Sequence, residues 1–427
     1  MAGSAMRILV LYLLYLRPGD SGIRRFNEFA RLWSEEPGVE VTVITGMVHH
    51  HTRQLYPDLR GQALAEEADG PVRVLRVSQP DTYHKGFSGR AWSQAMWARN
   101  ASSRLRRLDL HPDVIIASSP PLWVAWPMFA AKKRFGVPAV LEIRDLWPES
   151  IIQAGLASRV HPGVQYLGWL EKRACRAADH IVTIVPTMNN SLVRRGLKAP
   201  EDITLVTNGV VLEDFDSVDG ARREEIRGGL GLADDQKLVV YIGQHGYMQR
   251  IVELVNVAEA MQHRRDIQFV TFGDGPERPA LMAEAARRGL TNLRFMGRIP
   301  TTDVPAHLEA ADIGVCFVNT GPGTNWDNST RGVFRNAFFD LAGARLPVVF
   351  NIPGFPVDEI QDRAGGGIYA STNDGPGEFC EKIQYLADNP TQAREMGERN
   401  YAEIAVRYNR RKMAATYLDL LHRLSGR

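Results

Sequence analysis

No apolar run in the 427 residues is long enough to cross a bilayer as a helix. The earliest one, "ILVLYLLYL", is too short and lacks the cleavage pattern of a secretory leader, so it reads as a buried strand. Cysteine is scarce: Cys175, Cys316 and Cys380 stand far apart, which argues against a disulfide framework or a zinc site and fits a reducing cytoplasm. Charge of one sign is also lacking, since 51 Lys and Arg against 49 Asp and Glu leave a net +2. The basic residues are spread along the chain, so nucleic acid is not expected as a partner and membrane contact is peripheral at most. There is no recognisable Ser/His/Asp or Cys/His constellation and no His-Glu-x-x-His. His49, His50 and His51 are adjacent in a loop and do not share a face of an element, while Asp214 and Asp216 fall in a presumed linker, so no metal is expected.

What is present is an ordinary globular composition, 44% hydrophobic and 23% charged, over a length that suggests two or three domains. Short apolar runs alternate with amphipathic stretches: "VEVTVITG", "VRVLRV", "DVIIASS", "PAVLEIRD" and "HIVTIV", with helical patterns over 22–34, 121–135 and 163–177. The alternation then restarts with "KLVVYIG", "IQFVTFG", "NLRFMG", "IGVCFV", "LPVVFN" and "GGIYAS". This pattern predicts an α/β protein of two tandem Rossmann-like domains, 1–207 and 208–408, with parallel sheets facing a central cleft. The final segment, about 409–427, reads as a helix that packs back on the first domain.

In open parallel sheets ligands sit at the carboxyl ends of strands, so the loops there carry the candidate site. "YIGQHGYMQR" places Gly243, Gly246 and Arg250 after a strand, where backbone amides face an anion. "TFGDGPER" runs strand, turn, helix; Gly273 and Gly275 would allow close approach of a flat or anionic ligand. "GRIP", with Arg298 and Ile299, lies on the same edge. In the first half "LRPGDSGIRR" offers Gly22, Arg24 and Arg25, and "LEIRDLWPES" offers Arg144, Asp145 and Glu149 as an ion pair at a strand end or a polar wall of the cleft. A helix over 333–343 carries one acid, Asp340, on an apolar face, with Arg331 and Arg335 at its start.

Taken in order, "TNGVVLEDF", "FGDGPERPALMAEAARRGLTNLRFMGRIP", "AADIGVCFV", "FFDLAGARLPVV" and "GGGIY" resemble the retaining, sugar-nucleotide-dependent glycosyltransferases of GT-B fold. "SSPPL" and "EIRDLWPES" are similar to the branch acting on aminosugar-containing bacterial polysaccharides. The resemblance implies that the second domain binds a nucleoside diphosphate sugar and the first an acceptor. Asp340 matches the acid that holds the ribose hydroxyls; the base would lie against Arg298 and Ile299. The diphosphate would lie at the start of the helix, beside Arg331, Arg335, Asn336 and Ala337. No cofactor or metal is implied, because cations and helix amides neutralise the departing diphosphate.

Several positions depart from the family's pattern. Gln244 and Gln249 stand where many relatives carry Arg and Lys, Gly332 where a paired acid is expected, Ala337 where some have Lys, and Arg144 where another branch has His. Arg250, Arg331 and Arg335 are the candidates for a relocated clamp. Catalytic roles are expected of Arg144, Asp145 and Arg335; acceptor contacts are expected of Gly22, Arg24, Arg25, Arg144 and Asp145. The low net charge leans toward a small soluble acceptor in bacterial natural-product biosynthesis, glycosylated on oxygen, nitrogen or sulfur. The alternatives are a lipid-linked acceptor in polysaccharide assembly, a nucleotide-sugar epimerase, or a non-catalytic nucleotide-binding subunit.

Overall fold

The computed structural model describes residues 5–20, 22–50, 52–153, 157–319, 336–354 and 356–426. The chain divides into two compact units, one of residues 1–207 with 411–427 and one of residues 208–410. Each is a sheet of parallel strands, with one antiparallel edge strand in the first, flanked by helices, the α/β class that the alternating apolar runs predict.

In the first unit the strands are β1 (Met6–Leu11), β2 (Val39–Gly46), β3 (Leu64–Asp69), β4 (Val72–Val77), β5 (Val114–Ser119), β6 (Ala139–Ile143), β7 (His180–Thr183) and β8 (Ile203–Leu205). Their order is β3-β4-β2-β1-β5-β6-β7-β8. β5 and β6 are buried along their whole length, which is why they read as continuous apolar runs without alternation. The edge strand β3 runs antiparallel to β4. Its sequence, "LAEEAD", is short and half exposed, so it carries no apolar signal.

The helix Arg25–Ser34 buries Phe26, Phe29 and Trp33, and Phe29 stacks on Trp33 at 5.3 Å. The C-terminal helix Arg410–Ser425 completes that packing: Tyr417 meets Trp33 edge-on at 5.3 Å, and the Trp33 indole donates to the Ala414 carbonyl at 2.9 Å. The second unit holds β9 (Lys237–Ile242), β10 (Ile267–Phe272), β11 (Leu293–Gly297), β12 (Ile313–Cys316), β13 (Val348–Phe350) and β14 (Gly367–Tyr369) in the order β11-β10-β9-β12-β13-β14, all parallel. The chain crosses from β9 at the centre out to each side, so the carboxyl ends of β9 and β12 form the switch point where ligands bind in such sheets.

Candidate functional site

At the carboxyl edge of the second sheet three loops interlock. The Gly243 amide donates to the Phe272 carbonyl at 3.0 Å, Gly273 to the Gly297 carbonyl at 2.7 Å, and His245 to the Asp274 carbonyl at 3.0 Å. The glycines make this possible. A Cβ on Gly273 would lie 1.8 Å from the Gly243 carbonyl oxygen, and one on Gly275 would lie 2.2 Å from that of His245. Sequence reasoning assigns these two glycines to a ligand; in the structure the close approach they permit is that of the neighbouring loop.

His245 is the buried pin of this edge. It is fully enclosed, its Nε2 lies 3.1 Å from Thr271 Oγ1, and its ring packs against Tyr241 and Phe295. Burial, helped by the nearby Arg278 cation, pushes its pKa down to about 4. In the unfolded chain an ordinary histidine takes up its proton near pH 6.5, so between that pH and about 4 the unfolded state binds more protons. The stability linked to His245 is complete above the unfolded value and is lost as pH falls toward the folded one. We expect unfolding free energy to drop by roughly 3 kcal/mol across that window, with His245→Asn lacking this component in denaturant titrations at successive pH values.

Beyond His245 the loop ends at Arg250, which adopts a left-handed backbone, φ 45°, unusual for a side-chain-bearing residue. Its guanidinium pairs with Glu253 at 2.6 Å and donates to Asn319 Oδ1 at 3.3 Å. An open cavity of about 510 Å³ lies here, lined by Tyr247, Arg250, Glu277, Leu281, Glu284 and Asn319. Asn319 is buried and its backbone N–H donates to the Met248 carbonyl at 3.0 Å. Asn351 stitches the next pair of strands, accepting from the Val318 amide at 2.8 Å and donating to the Val318 carbonyl and Thr372 Oγ1 at 3.0 Å. Neither asparagine stood out in sequence, because "FVNTG" and "FNIPG" read as ordinary turns after strands.

Asp340 sits half-buried in the helix Asn336–Gly343, whose Phe338, Phe339, Leu341 and Ala342 are buried. Asn336 is exposed and Ala337 half-buried. Arg331 and Arg335 lie outside the described residues. Arg298 reaches Asp274 at 3.3 Å, tying the loop that holds Ile299 to the loop after β10.

In the first unit the expected acceptor residues separate into two groups. Arg144 and Asp145 follow β6. Arg144 donates to Ser118 Oγ at 3.0 Å, lies 3.7 Å from Glu142 and covers the Tyr12 ring at 4.9 Å. The Asp145 carboxyl is pushed up by burial and accepts from the Trp147 indole at 3.3 Å. Gly22 adjoins His50, where a Cβ would lie 2.8 Å from Cδ2, so the loops after β1 and β2 meet there. Arg24 lies 3.7 Å from Glu28 at the start of its helix.

Arg25 belongs to the interior. It is 2% exposed, pairs with the fully buried Glu142 at 3.0 Å, and donates to the carbonyls of Val206 at 2.7 Å and Thr207 at 2.6 Å. The acceptor-facing role expected from sequence is replaced by one of holding the chain where the first unit ends. Among the described residues no group of His, Cys, Asp and Glu side chains is clustered to hold a metal.

Comparison with known proteins agrees with this layout. Residues 22–209 match the family described as "Glycosyl transferase 4-like domain", and residues 236–389 match "Glycosyl transferases group 1". The chain is 27% identical to WcaI of Escherichia coli K12, named for colanic acid biosynthesis, over 72% of this chain and 75% of that protein. It is 28% identical to the alpha-D-kanosaminyltransferase of Streptomyces kanamyceticus, over 53% of this chain and 58% of that one. Among solved structures, sucrose-phosphate synthase of Thermosynechococcus elongatus superposes with a TM-score of 0.74 at 15% identity, covering 99% of both chains. HepE of Anabaena, in complex with UDP-glucose, does so at 0.67 and 16% identity, covering 98% of this chain and 100% of that one. With a parallel sheet in each unit, and each unit matched by a transferase family, the chain belongs to the GT-B glycosyltransferases.

Proposed function

We propose that the protein is a retaining transferase that takes a sugar from a nucleoside diphosphate sugar bound at the carboxyl edge of the second sheet. The observation that carries this is Arg250, held in a strained left-handed conformation with its guanidinium against Asn319 at the mouth of the cavity. Strain of this kind persists where the surroundings over-determine a geometry that function uses. A cation fixed at the start of the helix Val252–Ala260 would neutralise charge developing on a departing diphosphate. HepE holds UDP-glucose on the same fold. Asp340 is the proposed acceptor for the ribose hydroxyls, and no metal is required in this reading.

The test is a thermal-shift screen with UDP, GDP, dTDP and ADP, followed by turnover of the sugar form of whichever nucleotide stabilises the protein. Asp340→Asn should weaken that nucleotide by roughly 1–3 kcal/mol while leaving the melting temperature of the free protein in place. Unchanged affinity with a lowered melting temperature would assign Asp340 to the scaffold instead. Product anomeric configuration, read by NMR, checks retention.

For the acceptor, the likeness to the 2-deoxystreptamine glucosyltransferase of Streptomyces kanamyceticus, 29% identical over 57% of this chain and 63% of that one, supports the small soluble metabolite expected from the low net charge. The likeness to WcaI, named for colanic acid biosynthesis, supports the alternative of polysaccharide assembly, and one feature of the first unit favours a lipid-linked acceptor in that reading: an aromatic surface rimmed by cations. Side-by-side assays with soluble aminosugar acceptors and with lipid extracts in vesicles separate the two.

A further inference from the structure

Two helices of the first unit, Ala125–Phe135 and Pro162–Ala177, pack side by side and, with the short turn Leu122–Val124 that leads into the first, carry a ladder of five aromatic rings. Trp123 lies 5.4 Å from Tyr166, Tyr166 5.8 Å from Trp169, Trp169 6.3 Å from Trp126, and Trp126 5.8 Å from Phe129. The Trp126 indole donates to the Tyr166 hydroxyl at 2.9 Å, and Arg173 stands 5.4 Å over both Phe129 and Trp169. Trp123, Trp126, Phe129 and Tyr166 each turn one side to the core, yet all five rings keep an exposed edge, and Trp169, outside the core, is 46% exposed.

The charge around them is largely of one sign. These helices carry Lys132, Lys133, Arg134, Lys172, Arg173 and Arg176 against a single acid, Glu171, which is buried and paired with Arg195 at 3.1 Å. Lys132 is paired with Asp179 at 2.6 Å. Lys133, Lys172, Arg173 and Arg176 are exposed and form no ion pair among the described residues. A net charge near zero over the whole chain therefore hides a local excess.

We propose that this face docks the protein onto a bilayer surface containing anionic lipids. Amphipathic rings are the side chains that settle at the headgroup boundary, where one end is apolar and the other wet. Exposed lysines and arginines beside them meet phosphate headgroups. No helix among the described residues is long and apolar enough to cross the membrane, so the contact is peripheral.

Co-sedimentation of the full chain with phosphatidylcholine vesicles, with and without added phosphatidylglycerol, tests this. Wild type should bind the anionic vesicles, and salt should release it. Lys172→Gln/Arg173→Gln/Arg176→Gln should weaken binding roughly a hundredfold and Trp169→Ala roughly tenfold, with circular dichroism unchanged. Brominated lipid should quench less tryptophan emission in Trp169→Ala than in wild type. Failure of wild type to bind anionic vesicles at low salt, or binding indifferent to both variants, overturns the proposal. So would a dimer in sedimentation velocity that Trp169→Ala dissolves while vesicles are ignored, which would assign the face to a second copy of this chain. The measurement uses neither donor nor acceptor, so its outcome is independent of the transferase reading.

Discussion

Gly273→Ala should cripple nucleotide binding and cost the second unit roughly 2–5 kcal/mol, combining overpacking with an unfavourable backbone conformation. Two independent constraints act on this residue. Its φ of 129° is one that side-chain-bearing residues rarely adopt, and its added methyl would meet the Gly243 carbonyl at 1.8 Å, an oxygen with nowhere to swing because it belongs to backbone. Relief requires moving the loop that ends at Arg250, so destabilisation and loss of ligand should appear together. Gly228→Ala is the control. That glycine lies in the helix Gly220–Gly229 with nothing within 4 Å of where a Cβ would stand, and alanine there should gain roughly 0.5–1 kcal/mol. Urea unfolding and calorimetric titration of nucleotide measure both. A Gly273→Ala protein with wild-type stability and affinity would show that the loops slide freely and that the interlock is not what shapes this edge.

Removing the negative charge of Glu142 should be at least as damaging to the first unit. Glu142→Gln leaves the Arg25 cation enclosed without its counter-ion, and breaking a buried pair in this way costs about 3–5 kcal/mol. The arithmetic differs for removing both partners. Arg25→Met/Glu142→Leu should recover much of the loss, because burying the pair already carries a desolvation penalty. The second consequence is chemical: Glu142 also lies 3.7 Å from Arg144 and accepts from Ser118 at 3.1 Å, so Arg144 loses part of its alignment. The stabilised double variant should therefore unfold near wild-type denaturant concentrations yet turn over more slowly. Restored turnover as well as restored stability would show that Arg144 needs no help from Glu142.

The strands of both sheets were legible because parallel strands are covered on both faces and must be apolar throughout, as "DVIIASS" and "KLVVYIG" are. β3 escaped because an edge strand with one solvated side can be built from "LAEEAD". The glycine turns were legible as turns, but the reason for Gly273 and Gly275 was not, since a residue's three-dimensional neighbour at 1.8 or 2.2 Å leaves no trace in local spacing. Arg25 was misread for the same cause. Two adjacent arginines after a glycine turn look alike in sequence, yet one faces Glu28 at the surface and the other spans 117 residues to reach Glu142. The cationic aromatic face was only partly legible: "PLWVAWPMFAAKKRF", with its basic end, reads first as a core helix, and the exposed Trp169, Lys172, Arg173 and Arg176 come from a second helix packed beside it.

The split composition of the first unit bears on how the chain is made. Its sheet and the aromatic wedge of Phe29 and Trp33 emerge early, but the helix that covers them, with Tyr417, follows only after all of residues 208–410. At ordinary synthesis rates the apolar flank waits roughly 10–40 s uncovered. A nascent chain in that interval presents the same surface that a truncation before Arg411 would present permanently. Damage at the last helix should therefore surface as a chaperone-dependent, aggregation-prone first unit, far along the chain from the break and next to an intact second one.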